Sequence, residues 1–354
     1  MRDTRLRFDA YSLPLAKSWQ SSKGNRRTRA GWLVTATDAA GVSGYGDCCP
    51  MPEAGTETRT RAGECLCRLA RRPVDEIYRE LEQYRASHPS ACHGVSTALL
   101  DMHARQDNLP LGRLLNKDVS PKISLNATAG ALIRIKGGGL QLLQQEGFQV
   151  IKLKVGIADP VDELGRLHQL SQRLNPATLL RLDANQGWNF QQAAYFIDGI
   201  QGLPVESLEE PLQAPTLTYL EKLQSRSSIP LAMDESITGI TPEALIDSCV
   251  IHRLVLKPMA LGGLKPTMEI ARRARDAGMG CVVTSTLESA AGIWAAVHLA
   301  AAIDPLFPGL AHGLATSQWL SRNTGAPPLV IEGKIDLSAT TGSGFHPYAQ
   351  QSNI

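Results

Sequence analysis

The sequence predicts an α/β protein: a modified (β/α) TIM-type barrel, with an α+β domain made by the N-terminal third and a C-terminal tail that returns to it. Three observations carry this. From Pro121 onward short apolar runs alternate with helical segments, charged residues follow those runs at a regular interval, and before Pro121 the order is strands and then helices.

From Arg5 to about Asp47 the chain is β-rich, with Trp32–Ala36 the clearest strand. The polar, Gly/Ser/Arg-rich stretch Lys17–Arg29 interrupts it and reads as a mobile loop. From Arg59 to Leu115 the period is helical, with Val95, Leu99, Leu100, Met102 and His103 at helical spacing. The apolar runs that follow are Ile123–Ala127, Val150–Val155, Leu179–Leu182, Val205–Leu208, Leu231–Met233, Arg253–Leu256, Cys281–Val283 and Gly309–Leu310. A barrel spends roughly 30 residues on each βα unit, and eight units counted from Pro121 end near the last run. The tail from Pro327 to Tyr348 reads as one more strand, Leu329–Glu332, and a Gly-rich turn at Gly342–Gly344. The expected divisions are 1–120, 121–320 and 321–354, the last packing back on the first.

With 354 residues, 43% hydrophobic and 20% charged, the chain is long enough for a large core and a second domain. A net charge of +2 provides no strong basic field for nucleic acid or an anionic membrane, while a small anionic substrate fits. Met1–Leu15 lacks the apolar core of a signal peptide and no run reaches a membrane span, so a cytoplasmic protein is expected. Seven cysteines, Cys48-Cys49 and Cys65/Cys67 among them, match no zinc spacing and read as reduced structural thiols. Eight histidines form no HExxH-like pair. Nothing fixes the oligomeric state.

Each apolar run is followed at once by charged or polar groups: Lys152 and Lys154, Asp183 and Asn185, Glu209 and Glu210, Asp234 and Glu235, Lys257, then Thr284–Glu288. One such carboxylate is ordinarily a helix cap or a solvated turn. Here Asp183, Glu209, Asp234, Lys257 and Thr284 recur about every 25 residues, one βα period, which puts a ring of them at the C-terminal strand ends where barrel enzymes build their sites. Three converging carboxylates, Asp183, Glu209 and Asp234, would repel unless a cation sat between them. An all-oxygen set without His or Cys suits Mg²⁺, or Mn²⁺ in its place, and argues against zinc. Asn185 and Glu235 stand close enough in sequence to support those ligands. Lys152 and Lys154, two apart in a strand, both point to the barrel axis, and Lys257 approaches from four strands away. A free lysine has a pKa of about 10.4, but a neighbouring ammonium and a divalent cation disfavour its charged form. Lysines flanking a cation define a chemistry in which the cation binds a substrate carboxylate and a lysine removes the proton from the adjacent carbon.

Gly44-Tyr45-Gly46-Asp47, the K-x-K of Lys152 and Lys154, Asp183-Ala184-Asn185, Leu208–Pro211, Asp234-Glu235-Ser236 and Lys257-Pro258 together resemble the muconate-lactonizing subgroup of the enolase superfamily over nearly the whole chain. The resemblance implies that Lys154 is the base, Lys152 its modulator, Lys257 the group on the opposite face, and Asp183, Glu209 and Asp234 the metal ligands. It also implies that the N-terminal domain and the tail cap the barrel, with loops near Lys17–Arg29 and Gly46–Pro52 closing over substrate.

Several activities share this ring. Dipeptide epimerases of the subgroup carry Asp-x-Asp after the last barrel strand, where Gly313 and Ala315 stand here. Thr284-Ser285-Thr286-Leu287-Glu288-Ser289, before a helix whose N-terminal amides suit an anion, and Gly313–Thr316 are similar to o-succinylbenzoate synthases. The resemblance therefore implies an Mg²⁺-dependent lyase that dehydrates 2-succinyl-6-hydroxy-2,4-cyclohexadiene-1-carboxylate to 2-succinylbenzoate in menaquinone or phylloquinone biosynthesis. Thr284, Ser285, Thr286 and Gly313 would contact substrate, with Arg181 a further candidate because it shares Asp183's strand face. The rivals are an N-acylamino acid racemase or dipeptide epimerase on the same scaffold and, more remotely, a barrel that binds without turnover.

Overall fold

The computed structural model describes residues 4–21, 24–136 and 138–349. β1 (Arg5–Ser21) and β2 (Gly24–Thr37) form a long antiparallel hairpin, and β3 (Ser43–Cys48) pairs with β2 to complete a three-stranded sheet. The stretch expected as a loop, Lys17–Arg29, thus consists largely of hairpin arms: Trp19 pairs with Arg26 and Leu13 with Arg29, across a register shift between Pro14 and Trp19. Main-chain pairing holds these polar arms, and no apolar alternation announces it. The tip, Ser22 and Lys23, lies outside the described residues.

α1 (Arg59–Leu69), α2 (Val74–Tyr84) and α3 (Pro89–Gln106) pack on this sheet around Val34, Leu66, Ile77, Val95 and Leu99. The Gly44-Tyr45-Gly46 segment permits an unusually close approach. A Cβ on Gly44 would run into Ala98 O and Met102 N, and one on Gly46 into Gly94 O, so glycine lets β3 lie directly on the α3 backbone.

The chain then passes through β4 (Lys122–Ser124), β5 (Asn126–Ala131), α4 (Gly139–Gln145), β6 (Val150–Lys154), α5 (Pro160–Ser171), β7 (Leu179–Asp183), α6 (Phe190–Gly199) and β8 (Val205–Glu209). It continues with α7 (Leu217–Gln224), β9 (Leu231–Met233), α8 (Pro242–Ser248), β10 (Arg253–Leu256), α9 (Leu264–Asp276), β11 (Gly280–Val283) and α10 (Ala290–Ile303). β5 to β11 form a parallel seven-stranded sheet in sequence order. This is the expected barrel-type architecture. Leu254 and Leu256 join the core shared with the helices, whereas Val255 between them packs with Ala232 and Val282 in a small separate cluster, so successive residues serve opposite faces.

The eighth run, Gly309–Leu310, is not a strand. Gly309 turns the chain with φ 87°, and closure comes later, at His312 and Gly313. His312 N donates to Ser124 O at 2.8 Å, Asn126 N to His312 O at 2.9 Å, and Gly313 N to Val283 O at 2.8 Å. α10, apolar all round, is buried between the barrel and β3.

The tail also departs from expectation. Leu329 is 77% exposed and irregular, and the strand is instead β12 (Lys334–Asp336), paired antiparallel with β4 so that Ile335, opposite Ile123, is buried. Beyond it Phe345 meets Tyr45 edge-on at 5.4 Å and its carbonyl accepts from Arg105 at 2.7 Å. Among the described residues no helix is long and apolar enough to cross a membrane.

Candidate active site

Strand register assembles the site. Lys154, Asp183 and Glu209 stand side by side on β6, β7 and β8, Asp234 follows β9, and Lys257 follows β10. All open into one cavity of about 600 Å³ at the C-terminal ends of the strands. Thr284–Leu287, Gly313, Thr316 and Trp319 form another part of its wall, and Met51, Glu53 and Ala54 reach it from the N-terminal domain.

Lys152 Nζ lies 2.8 Å from Asp183 Oδ2 and 2.7 and 2.8 Å from the two oxygens of Glu209. Burial disfavours its charge, but Asp183 and Glu209 outweigh that and hold it well above an ordinary lysine. Lys152 is therefore a fixed cation beside Lys154. Lys257 Nζ lies 2.6 and 2.7 Å from the two oxygens of Asp234. Burial again opposes its charge, and Asp234 and Glu235 again raise it. Lys154 Nζ donates to Asn185 Oδ1 at 2.9 Å.

Glu209, Asp234 and Glu235 each present an oxygen within 4.8 Å of the others, and Asp183 joins them through Lys152. Burial, then the charges of Asp183 and Asp234, push Glu209 well above the usual carboxylate range. Burial and the same two neighbours push Glu235 up to about 7. Lys152 outweighs burial at Asp183 and lowers it, but Glu209 and Glu235 are left undercompensated, and a divalent cation would relieve them. A buried all-oxygen set fits a hard ion such as Mg²⁺.

The surrounding backbone is strained. Asn185, Gln186, Glu210 and Leu287 all have positive φ, at 42°, 62°, 46° and 61°, and such non-glycine residues persist where neighbours over-determine them. Asn185 donates its amide N–H to Asp183 Oδ1 at 3.0 Å and its Nδ2 to Glu235 Oε1 at 2.8 Å. Glu210, not among the expected site residues, accepts from Asp234 N at 2.7 Å, Ser236 N at 2.8 Å and the Ser236 hydroxyl at 2.6 Å. It fixes the turn that carries Asp234. The only hint in the sequence is its place beside Glu209.

Residues 140–351 match the family model described as "Enolase C-terminal domain-like", and residues 10–116 match the "Mandelate racemase / muconate lactonizing enzyme, N-terminal domain". The chain belongs to the enolase superfamily. It is 26% identical over 319 residues to the L-Ala-D/L-Glu epimerase of Bacillus subtilis (strain 168), covering 85% of each chain. Its fold matches the N-succinyl Arg/Lys racemase from Bacillus cereus ATCC 14579 with a TM-score of 0.86 at 20% identity, over 98% of this chain and 95% of that one. It matches the dipeptide epimerase from Enterococcus faecalis V583, complexed with Mg and the dipeptide L-Leu-L-Tyr, with a TM-score of 0.85 at 21% identity, over 98% and 99%.

Two expectations for this superfamily member need correction. Arg181 borders the cavity, but its guanidinium is taken up by protein partners. It is 3% exposed, with Nε and Nη2 on Glu206, Nη1 on Asn126 Oδ1 and Nη2 also on Ala311 O, and Glu206 further binds Arg253. This is an ion network in the barrel floor. Nor are the first amides at α10 open to an anion. Ser289 N is taken by Asp47 Oδ2 at 2.8 Å and Ala290 N by Asn323 Oδ1 at 2.5 Å. Of the hydroxyls, Thr286 is committed to Glu288 at 2.9 Å, Ser285 meets Thr316 at 2.8 Å, and Thr284 donates to Gly313 O at 3.0 Å. Arg134, absent from the expected set, lines the cavity with no hydrogen bond or ion pair among the described residues.

Proposed function

We propose that this chain is an isomerase that inverts the carbon next to a carboxylate in an N-acylated amino acid. The observation that carries this reading is the placement of Lys154 and Lys257 on opposite sides of the ring, with the carboxylate cluster between them. Inversion needs one proton-transfer group on each face of the reacting carbon; dehydration needs a base on one face only. One lysine takes the α-proton, the other delivers a proton to the far face, and the reverse reaction exchanges their roles. Lys152 stays protonated against Asp183 and Glu209 and adds a fixed positive charge beside Lys154.

Asp183, Glu209 and Asp234 would hold Mg²⁺, or Mn²⁺, with Asn185 and Glu235 supporting them. When bound, the cation neutralises the charge that gathers on the substrate carboxylate as the proton leaves. The N-terminal domain caps the barrel in this reading, through Met51, Glu53 and Ala54, and the tail packs on that domain through Phe345.

The names of the epimerase and racemase relatives support isomerisation of acylated amino acids. Within that class the wall opposes a free ammonium: Gly313 carries no charge, and Arg134 adds a cation to the same cavity. A neutral or anionic acyl group fits better. One observation favours a second reading, the synthase dehydration: the hydroxyl-lined wall of Thr284, Ser285 and Thr316, in which Lys154 would be the sole base and Lys257 a cation over the ring.

The test is to incubate the protein and Mg²⁺ with single enantiomers of N-acetyl and N-succinyl amino acids, followed by chiral chromatography, and in parallel with the cyclohexadiene carboxylate. Appearance of the opposite enantiomer at enzymatic rates is expected. Turnover of the diene alone would replace the first reading by the second.

A further inference from the structure

Arg29 joins two parts of the cavity wall that the chemistry above does not use. It lies on β2 opposite Leu13, is fully buried, and spends its guanidinium on three main-chain carbonyls. Nε donates to Leu287 O at 3.0 Å, Nη1 to Pro50 O at 3.0 Å and Nη2 to Cys49 O at 2.8 Å. Leu287 ends the wall turn that begins at Thr284, and Cys49 and Pro50 lead directly into Met51. One side chain from the N-terminal sheet therefore bolts together a turn of the barrel and a turn of its own domain.

A buried guanidinium ordinarily takes a carboxylate partner. Here the nearby acids are engaged elsewhere: Asp47 accepts from Tyr11 OH at 2.5 Å and from Ser289 N at 2.8 Å, and Glu288 accepts from Thr286 N at 2.9 Å. They compensate the charge at a distance and leave the planar fork free for carbonyls, a geometry an ammonium cannot reproduce. The residue at the end of the fork, Leu287, holds a left-handed φ of 61° that a side chain adopts only under constraint.

We propose that Arg29 is a positioning residue that keeps Leu287 in its left-handed conformation and so fixes, from the N-terminal sheet, the turn that shapes the substrate side of the cavity. Substrate affinity then depends on a residue that touches no substrate. The kinetic part of the test rests on the isomerase reading above; the exchange part does not.

The full chain with Arg29→Lys keeps the charge and loses the fork. Hydrogen–deuterium exchange followed by mass spectrometry should show the segment 284–289 exchanging about tenfold faster, the size expected for loss of a hydrogen bond from a charged donor, with β7 and β8 unchanged. KM for an N-acyl amino acid should rise by about the same factor with kcat within about twofold, a split that a purely structural role would not give. Leu287→Val, a β-branched residue that resists positive φ, should reproduce the faster exchange with Arg29 intact. Unchanged exchange at 284–289 in both variants, or an equal rise throughout the barrel, would overturn the proposal. Failure of the unaltered protein to turn over N-acyl amino acids would count against the isomerase reading and leave the exchange result to decide this one.

Discussion

Thr284 and Gly313 interlock at the cavity wall: Thr284 Oγ1 donates to Gly313 O at 3.0 Å, and a Cβ on Gly313 would lie 2.7 Å from Thr284 Oγ1. An acidic side chain at position 313, of the kind a dipeptide's ammonium would call for, would therefore have to displace the Thr284 hydroxyl. Gly313→Asp should lower kcat/KM on N-acyl amino acids by about tenfold to a hundredfold, the usual effect of overpacking a tight site. Adding Thr284→Ala restores the space, and the double variant should gain relative activity on a matching dipeptide. Steady-state kinetics on the two substrates checks both steps, and an undiminished Gly313→Asp enzyme would refute the interlock.

Acid should destabilise the fold through its buried histidines. Burial lowers His298 to about 4, although its contact with Ser343 O opposes this. Gly112 N donates to His298 Nδ1 at 3.3 Å, so Nε2 carries the proton toward Ser343 O, and a second proton on Nδ1 would face a donor. The folded pKa lies below the unfolded value of about 6.5, so this stability is present above 6.5 and lost as pH falls toward about 4, amounting to about 3 kcal/mol. Urea unfolding across that window should show falling stability. His298→Gln should flatten the slope only in part, because burial also lowers His93 to about 4 and His312 to about 3.

The ring of charged residues was legible because apolar runs one βα period apart leave little freedom in where Lys154, Asp183, Glu209, Asp234 and Lys257 fall. Depth along a strand was not. Arg181 shares the face of Asp183, yet a register shift between Leu180 and Arg181 helps deliver it to Glu206 in the floor, and spacing does not show such a shift. The hairpin over Lys17–Arg29 was hidden because main-chain pairing, not apolar burial, holds it. Closure at His312 and Gly313 was hidden for the same reason. Arg29 had no signal at all: its partners are carbonyls twenty or more residues away, and carbonyls carry no sequence signature.

Breaking the floor network should cost stability. Glu206 is half-buried, which favours its neutral form, yet Arg181 and Arg253 outweigh this and hold its carboxyl below the usual range. Glu206→Gln removes the charge both arginines share and should destabilise the protein by about 3 kcal/mol, as expected for a buried cation stripped of its partner. Urea midpoints of the two proteins decide this, and equal midpoints would contradict it.

Added Mg²⁺ should raise the melting temperature, by the equivalent of about 2.7 kcal/mol at a hundredfold excess over Kd, and a chelator should reverse the shift. Glu209→Gln and Asp234→Asn should each abolish the response. A response that survives both substitutions would place the cation elsewhere.

The central claim is that Lys154 and Lys257 serve opposite faces of one carbon, and α-proton exchange in D₂O by single-lysine variants tests it most directly. Each of Lys154→Ala and Lys257→Ala should lose racemisation by about a thousandfold, the scale of a positioned acid–base group. Each should still exchange the α-proton of one enantiomer of an N-acyl amino acid, and the two variants should retain opposite enantiomers. If Lys257→Ala exchanges both enantiomers as fast as the unaltered protein, or Lys154→Ala exchanges neither, the two-face account is wrong.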